Sequence, residues 1–318
     1  MREPVRNAIV ITFDDGFLDN WIWAYPLLKK YGFKATIFVS SEFVDLKNGV
    51  RPNLDDHEQG RTSLEEITRW GYLSWEEMKL MEASGLIDIQ AHTMTHTKYF
   101  VSDKLVDFHH PGADILYPVG NLFPERKPYS ISDVSFEKLL PYGFPLFEER
   151  SSVIAKKVTI NPKFSDECVD ILKNYNFENY AFEDAIEIVS PLYESYKEKG
   201  NLIIRRESEE EYLKRIEYEI VGAKKTVEDK LQKKVEFLCW PHGDNDEFVH
   251  ELALKAGYLL TTKGKANVHK NNASTRIPER MGMNYTSLQK KLKSQFKLKA
   301  FADKFPYNLF LHAFRSVK

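Results

Sequence analysis

The stretch that decides the fold is Ala8-Ile9-Val10-Ile11-Thr12-Phe13-Asp14-Asp15-Gly16, near the start of the chain. An apolar, β-branched run that stops at two acidic residues and a glycine is typical of a buried strand that ends in a turn. Residues 21–31 are predicted to form a helix, with Gly32 placed where a C-cap favours a positive φ. Residues 36–39 resemble a second strand. This spacing predicts a βαβ unit with parallel strands.

The alternation of strand and helix recurs further along the chain. Ser74 and Ser208 are each followed three residues later by glutamate, which predicts a capping box at the start of a helix. Residues 86–91 and 235–240 are apolar runs that predict strands, and each ends at a polar cluster. Repeated alternation of this kind predicts an α/β protein, either a barrel or a doubly wound sheet.

The middle of the chain departs from this rhythm. Residues 108–145 hold six of the fourteen prolines, a density that excludes regular helix and central strand. Residues 165–200 are predicted to be helical. We therefore interpret roughly 100–205 as an insertion within a barrel domain of residues 1–285, followed by a basic, aromatic extension of residues 286–318.

Composition excludes several classes of protein. The 318 residues hold 45 Lys and Arg against 47 Asp and Glu, a near-neutral balance that argues against a nucleic-acid partner. Two cysteines are too few for a disulfide framework or a cysteine-rich zinc site. The first residues show no signal peptide, so we expect a cytoplasmic protein. A chain trimmed at its start would look the same, and the cell envelope is the alternative compartment.

The extension of residues 286–318 carries a net charge of +7 and five phenylalanines. Such a segment can lie on an anionic membrane surface or on a partner. It can equally be a terminal amphipathic helix packed on the domain, with its lysines in water.

Three polar clusters follow predicted strands: Asp14 with Asp15, His92 with His96, and Pro241-His242-Gly243. The carboxyl ends of parallel strands are where active sites form in α/β folds. Two histidines four residues apart can bind one metal, and a nearby aspartate would supply an anionic ligand. The alternative is an ordinary Asp-Asp-Gly turn and two surface imidazoles.

Two of these stretches resemble motifs of a known family. Thr12-Phe13-Asp14-Asp15-Gly16 and His92-Thr93-Met94-Thr95-His96 are similar to the T-F-D-D-G and H-[ST]-x-x-H motifs of the polysaccharide deacetylases, carbohydrate esterase family four, with its nodulation-factor-deacetylase-like domain. Residues 238–243 resemble the third motif, which usually ends in P-Y-G. The similar regions cover roughly 7–100 and 205–285. The resemblance implies a distorted (β/α) barrel with a divalent ion at its mouth.

The resemblance also implies roles for individual residues. Asp15, His92 and His96 match the metal ligands, and Asp14 matches the catalytic base. The backbone amide of His242 matches the group that stabilises the oxyanion. Zinc suits two imidazoles and a carboxylate, and Co²⁺, Ni²⁺ or Mn²⁺ are alternatives.

The chain departs from the family pattern at three places. Cys239 stands where many members carry an arginine that orients the base, and we expect Arg280, rather than Arg276, to replace it. His242 stands at the position that tyrosine holds in P-Y-G. The late motif that supplies the general acid is not recognisable, which leaves His242 and His269 as candidates.

The function that the resemblance implies is metal-dependent hydrolysis of N-acetyl, or other small acyl, groups on the amino sugars of a poly- or oligosaccharide. Such an enzyme cleaves carbon–nitrogen bonds in linear amides. One alternative is a barrel that binds polysaccharide in an assembly complex without turning it over. Another is a deacylase of a lipid-linked sugar, with peripheral membrane contact through residues 286–318. The tryptophans are expected in the core, with Trp240 the one placed to stack on a pyranose ring.

Overall fold

The computed structural model describes residues 10–262 and 287–301. The chain divides into two compact units, residues 1–12 with 278–318 and residues 13–277. The candidate residues Arg280 and His269 lie outside the described residues, so their roles stay predictions.

The described residues form the following strands in chain order: β1 (Ile11–Phe13), β2 (Ala35–Val39), β3 (Ile87–Ala91), β4 (Lys98–Phe108), β5 (Pro145–Ser151), β6 (Val158–Ile160), β7 (Ile203–Arg206), β8 (Phe237–Leu238) and β9 (Leu260–Thr261). The α-helices are α1 (Tyr25–Tyr31), α2 (Leu54–Glu58), α3 (Trp75–Ala83), α4 (Leu116–Leu122), α5 (Pro162–Leu172), α6 (Phe182–Glu198), α7 (Glu209–Glu217), α8 (Ala223–Leu231), α9 (Glu247–Lys255) and α10 (Leu288–Phe301).

The main sheet has five strands in the order β1-β2-β3-β8-β9. Strands β2 and β3 are parallel, in a register that aligns Val39 with Ala91. Strand β8 continues the parallel pairing with Ala91 opposite Leu238, and β9 pairs in parallel with β8. The sheet curls into half of a barrel, which confirms the predicted α/β class with parallel strands.

The local signals in the sequence are confirmed at the ends of the helices. Gly32 closes α1 with a φ of 68°, a left-handed conformation that glycine adopts without steric cost. The capping boxes at Ser74 and Ser208 are both present, each with its glutamate three residues on. Part of the predicted first helix is π-helical, from Asn20 to Ala24, and a second π-helical turn joins α7 to α8 at Tyr218–Gly222.

The chain between β3 and α7 holds two antiparallel pairs, β4 with β5 and β6 with β7. Helices α5 and α6 bury their apolar faces against these strands, around residues such as Phe147, Phe164 and Leu172. The expectation that the proline-rich stretch excludes regular helix is wrong at α4. Pro118 is the third residue of that helix, within the first turn, where a missing N–H costs no intrahelical bond.

In the smaller unit, α10 carries several lysines, among them Lys290, Lys291 and Lys293. Within the described ranges we find no helix with the length and apolar character needed to cross a bilayer. Membrane contact through residues 286–318 stays a prediction.

Candidate active site at the carboxyl ends of the parallel strands

The predicted polar clusters come together because parallel strands end at the same edge of the sheet. Asp14 and Asp15 follow β1, His92 follows β3, and Cys239 follows β8. Two bonds fix the end of β3 between its neighbours: the N–H of His92 donates to the Val39 carbonyl at 2.9 Å, and the N–H of Cys239 donates to the Ala91 carbonyl at 3.0 Å.

One carboxylate oxygen and two imidazole nitrogens converge at this edge. Oδ1 of Asp15 lies 3.2 Å from Nε2 of His92 and 3.1 Å from Nε2 of His96. All three atoms lie within 4.8 Å of one another. The structure thus brings together the three residues that the resemblance implies as metal ligands.

The same three residues fit a divalent cation. Nδ1 of His92 lies 2.8 Å from the Cys239 carbonyl, an acceptor only, so Nδ1 keeps its proton and Nε2, the nitrogen nearest Asp15, is the one that can give a lone pair to a metal ion. Oδ1 of Asp15 is buried and has no hydrogen-bond partner of acceptable geometry. A lone pair and an orphaned anionic oxygen that meet in a buried space match the ligands of a metal ion such as zinc.

The charge state of Asp15 agrees with this role. Burial acts to raise the pKa of this carboxyl, but the imidazoles of His92 and His96 outweigh it and hold the pKa far below its ordinary value. Asp15 is therefore ionised across the physiological range.

Backbone strain is concentrated around the cluster. Among the described residues, five other than glycine have a positive φ, and four of them belong to the predicted motifs: Asp15, Thr93, His96 and His242. Such conformations are costly and persist where the surrounding structure enforces them, as at active sites. The surrounding structure therefore holds these four residues in strained backbone conformations.

Asp14 has a neighbour that the motifs do not predict. The Cys239 thiol lies 3.7 Å from Oδ1 of Asp14, and the Thr262 hydroxyl donates to Sγ of Cys239 at 3.5 Å. A cysteine therefore lies beside Asp14, where the family pattern expects an arginine. Whether Arg280 also approaches Asp14 stays a prediction, because it lies outside the described residues.

His242 closes the other side of the cluster. Its ring lies edge-on to His96 with centroids 4.7 Å apart, and its Nε2 lies 3.1 Å from the hydroxyl of Tyr117. Burial, with the neighbouring His96 and Lys98, lowers the pKa of His242 to about 3. The ring is then neutral at pH 7, which disfavours it as a ready proton donor. Its backbone lies in the left-handed region, with a φ of 58°, in the turn Pro241–Gly243.

The sequence does not predict three residues outside the motifs that support the site: Tyr117 contacts His242, and Lys127 and Glu219 form hydrogen bonds with Thr95, beside His96. Tyr117 and Lys127 belong to the inserted segment, and no periodic pattern marks either of them. Glu219 could have been found, because it interrupts the apolar stripe of the helix between Ile216 and Ala223. A charge on a buried helix face is rare unless it is paired or hydrogen-bonded.

The expectation for the tryptophans is wrong in two cases. Trp240 is 1% exposed and cannot stack on a sugar. Trp70 is 69% exposed rather than in the core.

The part of the chain that holds the first two motifs is similar to known proteins. Residues 2–110 match the family model described as polysaccharide deacetylase. A putative polysaccharide deacetylase of Bacillus subtilis, YxkH, is 34% identical over 133 residues, which cover 37% of this chain and 39% of that protein. The chain therefore spans about two-fifths of the length of this curated relative.

Solved structures of low identity are also similar. The BpsB deacetylase domain from Bordetella bronchiseptica is 14% identical with a TM-score of 0.44, and a de-N-acetylase from Aggregatibacter actinomycetemcomitans is 17% identical with a TM-score of 0.43. Each similarity covers 80% of this chain and 63% of the other. The resemblance that the T-F-D-D-G and H-T-M-T-H motifs predict is confirmed, since the stretch that holds both matches the polysaccharide deacetylase family.

Proposed function

We propose that this protein is a metal-dependent hydrolase that removes N-acetyl, or other small acyl, groups from the amino sugars of a poly- or oligosaccharide. The observation that carries the proposal is the position of Asp14, a second carboxylate adjoining the three residues that fit a divalent ion. One acidic residue for the ion and another for proton transfer is what amide hydrolysis by water needs.

Asp15, His92 and His96 would hold the ion. Their donor set of two imidazoles and one carboxylate favours zinc, and it also accepts Co²⁺, Ni²⁺ or Mn²⁺. When bound, such an ion supplies Lewis acidity for the acyl oxygen and acidity for a water molecule.

Asp14 acts as the general base. It takes one proton from the water whose oxygen attacks the acyl carbon, so that a tetrahedral oxyanion forms. The Cys239 thiol, 3.7 Å from Oδ1, is a weak donor that orients the carboxylate.

The His242 amide stabilises the charge that develops on the acyl oxygen. Its N–H is directed by a left-handed backbone, with a φ of 58°, in the turn that follows Trp240. The oxyanion then collapses, the carbon–nitrogen bond breaks, and the amine leaves with one proton while acetate is released. Of the two predicted donors of that proton, His242 is disfavoured by its lowered pKa, and His269 lies outside the described residues and stays a prediction.

Acetate release from N-acetylglucosamine hexamers tests the proposal. Wild-type protein is compared with Asp14→Asn, which keeps the side-chain shape, and with Asp166→Asn, a matched control at an exposed position on α5. We expect release by the wild type and the control, and a loss of about a hundredfold or more in Asp14→Asn. Glycan binding without acetate release by the wild type would overturn the proposal and favour a barrel that only binds polysaccharide.

A further inference from the structure

A groove of about 640 Å³ lies between the loop that precedes Gly71 and the inserted segment. One wall is formed by residues 68–70, and the other by residues around 112–115 and 130–137. The motifs and the proposed chemistry use none of these residues.

Trp70 is the most unusual residue of the groove. It is exposed, whereas Trp21, Trp75 and Trp240 are buried. Val134, 95% exposed, also lines the groove. Large apolar side chains gathered in an open groove are characteristic of a binding surface.

The wall that carries Trp70 is tied to the candidate site. The N–H of Leu18 donates to the Gly71 carbonyl at 2.8 Å, and the N–H of Leu73 donates to the Gly16 carbonyl at 2.9 Å. The segment after Trp70 is therefore paired with the segment after Asp15. Gly71 is thus bonded to Leu18, three residues beyond Asp15 along the chain, which is at most about 10 Å away.

The opposite wall also reaches the site. Ile115 lines the groove, and Tyr117, two residues later, lies 3.1 Å from Nε2 of His242. Both walls of the groove thus come from segments that continue to the proposed acyl site.

We infer that this groove binds sugar units that neighbour the reacting unit of the same glycan chain, with the indole of Trp70 stacked on the apolar face of a pyranose ring. This inference rests on the proposed function, since it assigns a second subsite to the same substrate. An indole offers a large apolar face together with a polar N–H, which matches a ring whose faces carry C–H groups and whose edge carries hydroxyls.

The other groups of the groove favour a sugar over a protein surface. Residues with hydroxyl or charged side chains line the groove together with Trp70: Thr68, Arg69, Ser130, Ser132 and Glu137. Orienting polar groups beside an apolar platform are the pattern of a small-molecule subsite. The centre of a protein interface is instead depleted in charge.

Binding of N-acetylglucosamine hexamer and monomer tests the inference. The titrations use tryptophan fluorescence and calorimetry in the Asp14→Asn background, so that turnover does not interfere. Trp70→Ala is expected to weaken hexamer binding by up to about tenfold and to leave monomer binding unchanged. Trp70→Phe should restore most of the affinity. Phe33→Ala, an exposed aromatic just before the amino end of β2, is the matched control and should bind like the parent.

Kinetics in the otherwise wild-type protein separate this inference from the proposed function. Trp70→Ala should raise KM for the hexamer and leave kcat unchanged, because a subsite away from the chemistry contributes uniform binding. If Trp70→Ala and wild type had the same hexamer affinity and the same KM, the groove would not be a glycan subsite. Acetate release in that case would still support the proposed function. Hexamer binding that depends on Trp70, without acetate release, would support the groove as a glycan-binding site and overturn the proposed function. A wild type that bound no glycan would overturn both.

Discussion

The carboxylate of Glu219 holds the backbone of Thr95, the residue that precedes His96. Oε2 accepts the Thr95 N–H at 3.0 Å, and Oε1 accepts the Thr95 hydroxyl. The Glu219 carbonyl also accepts the N–H of Met94 at 3.1 Å. Glu219 is fully buried in the π-helical turn between α7 and α8, so three bonds from one residue fix the loop between the two histidines.

The inserted segment holds the same loop from another direction. Nζ of Lys127 donates to the Thr95 carbonyl at 3.2 Å and pairs with Glu42 at 2.5 Å. Thr95 is thereby bonded at its N–H, its hydroxyl and its carbonyl. These bonds are made while Thr93 and His96 keep strained backbones, so the supports explain how the strain is sustained.

Glu219→Gln should weaken metal binding. The amide can accept from only one of the two donors of Thr95 and brings an NH₂ against the other, so the loop loosens. We expect about a 10- to 100-fold loss of zinc affinity, the range typical of groups that orient metal ligands. Competition with a chelating dye measures the loss. Glu217→Gln, exposed two residues earlier, is the control, and equal affinities in both variants would contradict a positioning role for Glu219.

Arg51→Met should destabilise the protein strongly. The Arg51 guanidinium donates to both carboxylate oxygens of Glu77, at 2.8 and 2.7 Å, and to Asp45 at 3.1 Å, and all three side chains are nearly buried. Removing the cation leaves two buried carboxylates without it, which should lower the free energy of unfolding by about 3 kcal/mol. Urea denaturation measures the loss.

The control for Arg51 is Lys30→Met, which breaks the exposed pair with Glu58. It should change the free energy of unfolding by less than about 1 kcal/mol. Similar losses in the two variants would show that burial does not strengthen the Arg51 network.

Glu149 should make the free energy of unfolding fall as pH rises from about 4.5 through 7. Burial, partly offset by Lys98, raises the pKa of Glu149 to about 7 from 4.5. The folded state then favours the protonated carboxyl. The contribution of protonated Glu149 to the free energy of unfolding is therefore fully present below pH 4.5 and is lost as pH rises through 7. Glu149→Gln should remove this loss and gain stability relative to wild type between pH 5 and pH 8.

Urea denaturation at pH 5 and pH 8 measures the Glu149 effect. Glu194→Gln, an exposed position on α6, should leave the difference between the two pH values unchanged. A Glu149→Gln variant with the same pH dependence as the wild type would show that this carboxyl is not buried in solution.

The sequence predicts the centre of the candidate site and not its surroundings. Asp14, Asp15 and His92 follow parallel strands, and the common edge of such strands brings them together whatever the loops do. Tyr117 and Lys127 reach the site through the fold of an insertion, which no local period encodes. The contact of Cys239 with Asp14 likewise depends on the order β1-β2-β3-β8, which short-range patterns do not specify.

The central claim is that Asp15, His92 and His96 hold a divalent ion on which deacetylation depends. The most direct measurement is acetate release from N-acetylglucosamine hexamer by chelator-treated protein, before and after one equivalent of zinc, for wild type and His92→Ala. We predict that zinc restores release in the wild type and leaves His92→Ala inactive. Full release by the chelator-treated wild type, or equal restoration in His92→Ala, would contradict the claim.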